Sequence, residues 1–294
     1  MVGHNKRFQI LANGIMIIIT ITCVLPFCLL FASSVTGEQA LIRNGYSFFP
    51  KELDFSAYEY ILVDSSNIFR SYGISGMVTL IGTVVNLTMT TLFAYPLSRK
   101  DLPGRKIISF YLFFTMLFNG GLVPSYIMWT QVFHVKNTIW GLLVPNLMMG
   151  AFYVIMMRSY FTTNIPEEII DAGRIDGAGE VKILGKLVIP MSKPIISTLA
   201  LLVGLSYWND WLNGLYYIND DRLYGIQVLL NRMLMDTQFL MSNAAQSLNV
   251  DASMLPSTAI KMAIAVMGVL PVLIVYPFLQ RYLVQGITIG AVKG

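Results

Sequence analysis

The chain has 294 residues, 55% of them hydrophobic and only 12% charged, with a mean hydropathy of +0.63. Ordinary soluble domains carry about 25% charged residues, so these values exclude a soluble cytosolic enzyme and a disordered chain. The net charge of +4 comes from basic residues in short patches between apolar runs, which fits membrane topology rather than nucleic-acid binding.

A membrane-spanning helix needs about 20 mostly apolar residues. Six such runs are predicted, at residues 10–32, 74–97, 107–129, 138–157, 195–212 and 259–279. The first follows Lys6 and Arg7 but is longer than the 7–15-residue apolar region of a signal peptide, so it reads as a span. It holds the only cysteines, Cys23 and Cys28, which can build no disulfide framework; His4 and His134 fit no metal motif. In the second run Thr79, Thr83, Asn86 and Thr90 share one helical face. That face either lines a polar path or bonds helices together. Asn119 and Asn146, in the third and fourth runs, are further path candidates. The fifth ends in Tyr207, Trp208, Asn209, Asp210 and Trp211. Rings with amide and carboxylate groups suit sugar binding, and they equally suit an aromatic belt at the membrane surface. Proline inside or near the ends of several runs (Pro26, Pro124, Pro145, Pro271, Pro277) is tolerable where neighbours satisfy the freed carbonyls.

Basic residues set the orientation. With the N-terminus inside, the inner segments hold Lys6, Arg7, Arg99, Lys100, Arg105, Lys106, Arg158, Arg174, Lys182, Lys186, Lys193, Arg281 and Lys293. The outer segments hold the smaller set Arg43, Lys51, Arg70, Lys136, Arg222, Arg232 and Lys261. Both termini are therefore expected inside. With no internal repeat and no Gly/Ser linker, residues 1–294 read as one transmembrane domain.

The inner loop, 158–194, is neither apolar nor low-complexity. Pro166-Glu167-Glu168 is a helix start, since proline suits the first turn and acids favour the positive end of the dipole. Ile169, Ala172 and Ile175 fall on one face, Asp171 and Arg174 on others, and Gly177 and Gly179 end or bend the helix. A second helical stretch, 181–188, runs to Pro190. The product is a short amphipathic element that reads either as a plug for a groove on another protein or as an interfacial connector.

This loop resembles the cytoplasmic motif of permease subunits of bacterial ABC importers: E-A-A, three residues, G, nine residues, I-x-L-P. Asp171-Ala172-Gly173 stands at the triplet, Gly177 follows at the right distance, and Leu187-Val188-Ile189-Pro190 closes the pattern. The departures are Asp for Glu, Gly for the second Ala and Leu/Ile exchanges. Asn119 to Tyr126, Ala94 to Arg99, Tyr207 to Trp211 and the tail from Gln280 are similar to maltose-type carbohydrate permeases, in the oligosaccharide and polysaccharide branch.

The resemblance implies a type I importer permease fold with a cytoplasmic coupling helix, in the bacterial cell membrane. It implies a homologous second permease as heterodimer partner, two cytoplasmic ATPases and an extracytoplasmic sugar-binding protein. Glu168, Asp171, Ala172, Gly173, Arg174, Gly177, Leu187, Ile189 and Pro190 would couple to the ATPases, with the tail 286–294 also on that side. Thr83, Asn86, Asn119, Tyr207, Trp208, Asn209, Asp210 and Trp211 are the candidate substrate path. The chain itself is expected to bind no cofactor, metal or nucleic acid and to have no catalytic pair. Gly179 to Leu187 has one residue too many and lacks the hydroxyl of a phosphate loop, so ATP and Mg belong to the partner ATPases. The motif alone also permits a permease for another solute. An ion-coupled transporter or intramembrane enzyme usually shows embedded acids or inverted repeats; Asp210 is the only acid in a predicted span and lies near its end.

Overall fold

The computed structural model describes residues 6–63, 65–240 and 257–291. In chain order the helices are α1 (Lys6–Ser34), α2 (Glu38–Asn44), α3 (Ser56–Leu62), α4 (Ser65–Ser98), α5 (Arg105–Leu117), α6 (Leu122–Ile127), α7 (Trp140–Leu143), α8 (Ala151–Asn164), α9 (Glu167–Ile175), α10 (Glu180–Ile183), α11 (Ile189–Met191), α12 (Lys193–Trp208), α13 (Leu212–Tyr217), α14 (Ile226–Leu240) and α15 (Ser257–Ala291). Among the described residues the only strand pairing is an isolated bridge between Thr36 and Leu53. The backbone divides into two compact units, Met1–Ile68 with Leu230–Pro271 and Phe69–Leu229 with Val272–Gly294.

In the first unit α1 is apolar on all sides and exposes Ile10, Met16 and Ile18, as a helix surrounded by lipid does. Its hydroxyls are satisfied within the helix: Thr20 donates to the Met16 carbonyl at 2.8 Å and Thr22 to that of Ile18 at 2.9 Å. The Glu38 carboxylate accepts the N–H groups of Thr258 (3.0 Å) and Ala259 (2.9 Å), capping the first turn of α15.

Among the described residues, three helices are long and apolar enough to cross a membrane: Phe8–Ser34, Ser66–Ser98 and Thr258–Pro277. Two bent pairs raise the count to five if each is one span. The run predicted at 107–129 is not one straight helix, because the chain turns by 112° between Arg105–Leu117 and Leu122–Val132. Phe118 is extended and Gly121 sits at φ +90°, a conformation that glycine adopts without strain. The run predicted at 138–157 is split too. Between α7 and α8, Pro145 offers no N–H and Asn146 takes φ +63°. The run predicted to reach residue 212 stops at Trp208, where Asn209 leaves the helix. The helical stretch Glu180–Met191 meets α12 at 83°, beside Pro190 and Pro194.

The core of the second unit forms where α8 buries Val154, Met157 and Phe161 against Ala94, Leu97, Ile170, Ile183, Val188 and Leu199. Further along α4, Val78 joins Leu143, Val203, Tyr207 and Ile218. Here α4 and α12 touch through small residues. A Cβ on Gly82 would overlap the Tyr207 ring, and one on Gly204 would lie 3.5 Å from the Thr83 hydroxyl. The Tyr207 hydroxyl donates to the Leu143 carbonyl at 2.9 Å, so its ring cannot swing away freely. Gly82→Val is therefore expected to destabilise the protein by about 1–3 kcal/mol through overpacking, measured as a lower thermal midpoint in detergent.

Candidate coupling helix and polar break

Helix α9 begins after Pro166 with Glu167 and Glu168 in its first turn and Arg174 in its last, so its charges complement the helix dipole. Its inward face is Ile170 and Gly173, both buried. A Cβ on Gly173 would stand 3.2 Å from Leu187 and 3.3 Å from Ile183, a tighter approach than side chains normally make. Gly173 thus allows a close contact inside the chain. Leu187 is the half-buried neighbour that fills this gap, while Ile189 and Pro190 are exposed. The helix ends at Gly177, φ +74°, with the Ala178 N–H on the Gly173 carbonyl at 2.9 Å and the Gly177 N–H on that of Arg174 at 3.0 Å. This is a Schellman termination, which needs a residue at ease in the left-handed region.

The outward face is Glu168, Asp171, Ala172 and Ile175, at i, i+3, i+4 and i+7, and all four are exposed. Ile175 is 86% exposed and Val181, just beyond the turn, 84%. Ile169, predicted on this face, is half-buried at its edge. Arg174, predicted to meet a partner, is engaged within the chain by Glu180 at 2.8 Å and Asp101 at 3.1 Å, with Asp171 at 3.7 Å. These carboxylates hold its guanidinium in the charged form, the Glu180 hydrogen bond most strongly. At the other end of α9, Lys100 lies 2.7 Å from Glu167 and holds that carboxyl below its ordinary range. A cleft of about 430 Å³ separates the end of α4 from this loop, lined by Leu92, Tyr95, Asp101, Arg174, Val181 and Leu184 among others.

The predicted path residues divide into two groups. Asn86 is fully buried; its amide donates to the Leu147 carbonyl at 2.6 Å and its oxygen accepts from Thr90 at 3.1 Å. Tyr207 is buried in the core as described. These two hold the scaffold together. The hydroxyls of Thr79 and Thr83 are buried without a hydrogen-bond partner. The second group lies at helix breaks. Trp208 stacks on Tyr72 at 6.3 Å, Asn209 and Trp211 are exposed, and Asp210 accepts the Asn213 N–H at 3.2 Å. Asn119 is exposed at the α5–α6 bend and accepts the Gly121 N–H at 2.8 Å.

The sequence reading missed Tyr95, Lys100, Asp101 and Glu180. The only available signal was the basic patch 99–106, which carries no information on which acid each cation meets. The expected contact of the tail lies partly outside the described residues, at 292–294, as does part of the last predicted outer loop, at 241–256.

Apolar spans, split helices and a short charged helix between them mark a multi-pass membrane protein. Residues 93–289 match the family of binding-protein-dependent transport system inner membrane components, and the chain belongs to that family, whose members are transport permease subunits. It is 33% identical, over 99% of each chain, to the polygalacturonan/rhamnogalacturonan transport system permease protein of Bacillus subtilis. It is 25% identical, over 100% of each, to the arabinooligosaccharides transport system permease protein of the same organism. Its structure resembles a chain of a bacterial ABC transporter involved in the import of the acidic polysaccharide alginate, with a TM-score of 0.79 and 30% identity over 96% of this chain and 99% of that one.

Placing a β-branched residue at φ +74° costs about 1–2 kcal/mol. Gly177→Val is therefore expected to loosen the end of α9, measured as faster hydrogen exchange at residues 177 and 178 with the exchange of α8 unchanged.

Proposed function

We propose that this chain is the membrane permease subunit of an ATP-driven importer of oligosaccharides or polysaccharide fragments. The observation that carries the reading is the outward face of α9, a mixed charged and apolar surface on a helix that is otherwise built into the protein. Two cytoplasmic ATPases supply the energy; one receives Glu168, Asp171, Ala172 and Ile175 in a groove and binds ATP and Mg. Gly173, Arg174, Gly177, Leu187, Ile189 and Pro190 keep that surface in shape. A homologous second permease completes the pathway, and an extracytoplasmic sugar-binding protein delivers the substrate. The single permease domain, residues 1–294, lies in the bacterial cytoplasmic membrane with six crossings and both termini inside. Alternating access then follows from two packed arrangements of the spans.

The relatives that carry polygalacturonan, rhamnogalacturonan and arabinooligosaccharides support the sugar reading. Substrate contact falls to Trp208, Asn209, Asp210 and Trp211 at the α12 break, with Asn119 at the α5–α6 bend and Thr83 of α4 facing Gly204 of α12. Rings and amides suit sugars because C–H faces pack on aromatic surfaces while hydroxyls take hydrogen bonds.

Uptake of oligogalacturonides or arabinooligosaccharides into proteoliposomes holding the whole assembly is expected to require internal ATP. Trp208→Ala and Asn209→Ala are expected to lower the flux at least several-fold with assembly intact. Uptake driven by a proton or sodium gradient without ATP would defeat the reading.

A further inference from the structure

Helix α9 is fastened at both of its own ends to the turn that follows α4. At its N-terminal end Lys100 donates to Glu167 at 2.7 Å. At its C-terminal end Arg174 donates to Asp101 at 3.1 Å and to Glu180 at 2.8 Å. The second Glu180 oxygen accepts the Tyr95 hydroxyl at 2.6 Å. Tyr95 belongs to α4 and is only 5% exposed. Its ring packs edge-on to Phe161 at 6.5 Å and carries the Arg99 guanidinium 5.5 Å above it. The α4 terminus is itself held, since the Leu97 carbonyl accepts from Arg105 at 3.0 Å and from Arg158 at 3.1 Å.

Stability alone does not account for this arrangement. Exposed ion pairs contribute about 0–1 kcal/mol each, and the apolar contact of Ile170 and Gly173 with Ile183 and Leu187 already seats the helix. The pairs add orientation. Glu167 and Arg174 are seven residues apart, about 10 Å along a helix. Two ties at that separation fix the tilt of α9 as well as its position. The covalent route from α9 to α12 is not one continuous α-helix. It passes a π-helical turn at Leu184–Val188 and the 83° bend before Lys193, both of which interrupt the regular α-helical ladder.

We propose that Tyr95, Lys100, Asp101 and Glu180 are positioning residues that lock α9 to α4, so that the coupling helix and the inner end of this span move as one body when the ATPases close. This rests on the coupling reading of α9. Displacement at the outward face of α9 enters the membrane through α4 first, and α12 follows through its bent connection.

The test uses the whole importer, isolated with its ATPases, in a chain whose exposed Cys23 and Cys28 are serine. Spin labels at Val84→Cys on α4 and Lys182→Cys on α10, both exposed sites, report one distance. The expected result is a single narrow distance, the same without nucleotide and with ATP–vanadate. Tyr95→Phe with Asp101→Asn is expected to keep the ATPases bound yet broaden and shift that distance on adding ATP–vanadate. Lys100→Gln with Asp101→Asn, both on the surface, is expected to do the same and covers the case that the first variant does not fold. Asp101→Glu is expected to retain the narrow distance. A distance that changes with nucleotide in the unaltered lock, or one that stays narrow in both double variants, overturns the proposal while leaving the coupling reading standing. Failure of the ATPases to co-purify with the unaltered chain overturns both.

Discussion

A helix as short as α9 cannot hold itself together. Helices below about 12–15 residues are marginal in water even with favourable sequences, and α9 covers Glu167–Ile175. Its existence depends on the close approach of Gly173 to Ile183 and Leu187, which lets a narrow apolar strip seat the helix on the helix that follows it. Because the seat is narrow, the opposite face stays free, with Ile175 and Val181 exposed. The same contact that stabilises the helix is thus what leaves a surface for a partner.

Two kinds of environment act on the rest of the chain. Helices such as α1 satisfy most of their backbone groups internally, as a bilayer demands, and their threonine hydroxyls turn back onto the preceding turn. Elsewhere the helices break, at Phe118 to Gly121, between α7 and α8, and after Trp208. Each break has a polar side chain that accepts or donates to the exposed backbone: Asn119 to Gly121, Asn213 to the Pro145 carbonyl, Asp210 to Asn213. Irregular backbone in a membrane protein is stable only where it is packed or meets water.

Small residues link the two environments. Gly82 admits the Tyr207 ring and Gly204 faces Thr83, so α4 and α12 approach closely. Lipid chains are as apolar as leucine, so helices in a bilayer associate through tight packing and hydrogen bonds rather than by escaping water. Asn86 adds such a bond, to Leu147, from within α4. The face that reads in the sequence as a polar stripe is therefore used in part to hold the helices together.

What the sequence determined by itself was everything governed by local rules: which stretches are apolar enough for a bilayer, where α9 starts after Pro166, where it stops at Gly177, and the spacing of the motif through Pro190. Hydropathy, capping and the left-handed preference of glycine act over a few residues, so they can be read without a fold. Family membership followed from the same motif. Only tertiary structure decided that Arg174 pairs with Asp101, 73 positions away, that Tyr95 reaches Glu180, and that the runs at 107–129 and 138–157 are broken. Opposite charges are plentiful in the segments between the apolar runs and their pairing depends on which elements pack together. A run of apolar residues likewise scores the same whether it is straight or bent, because hydropathy counts side chains and carries no information on backbone direction.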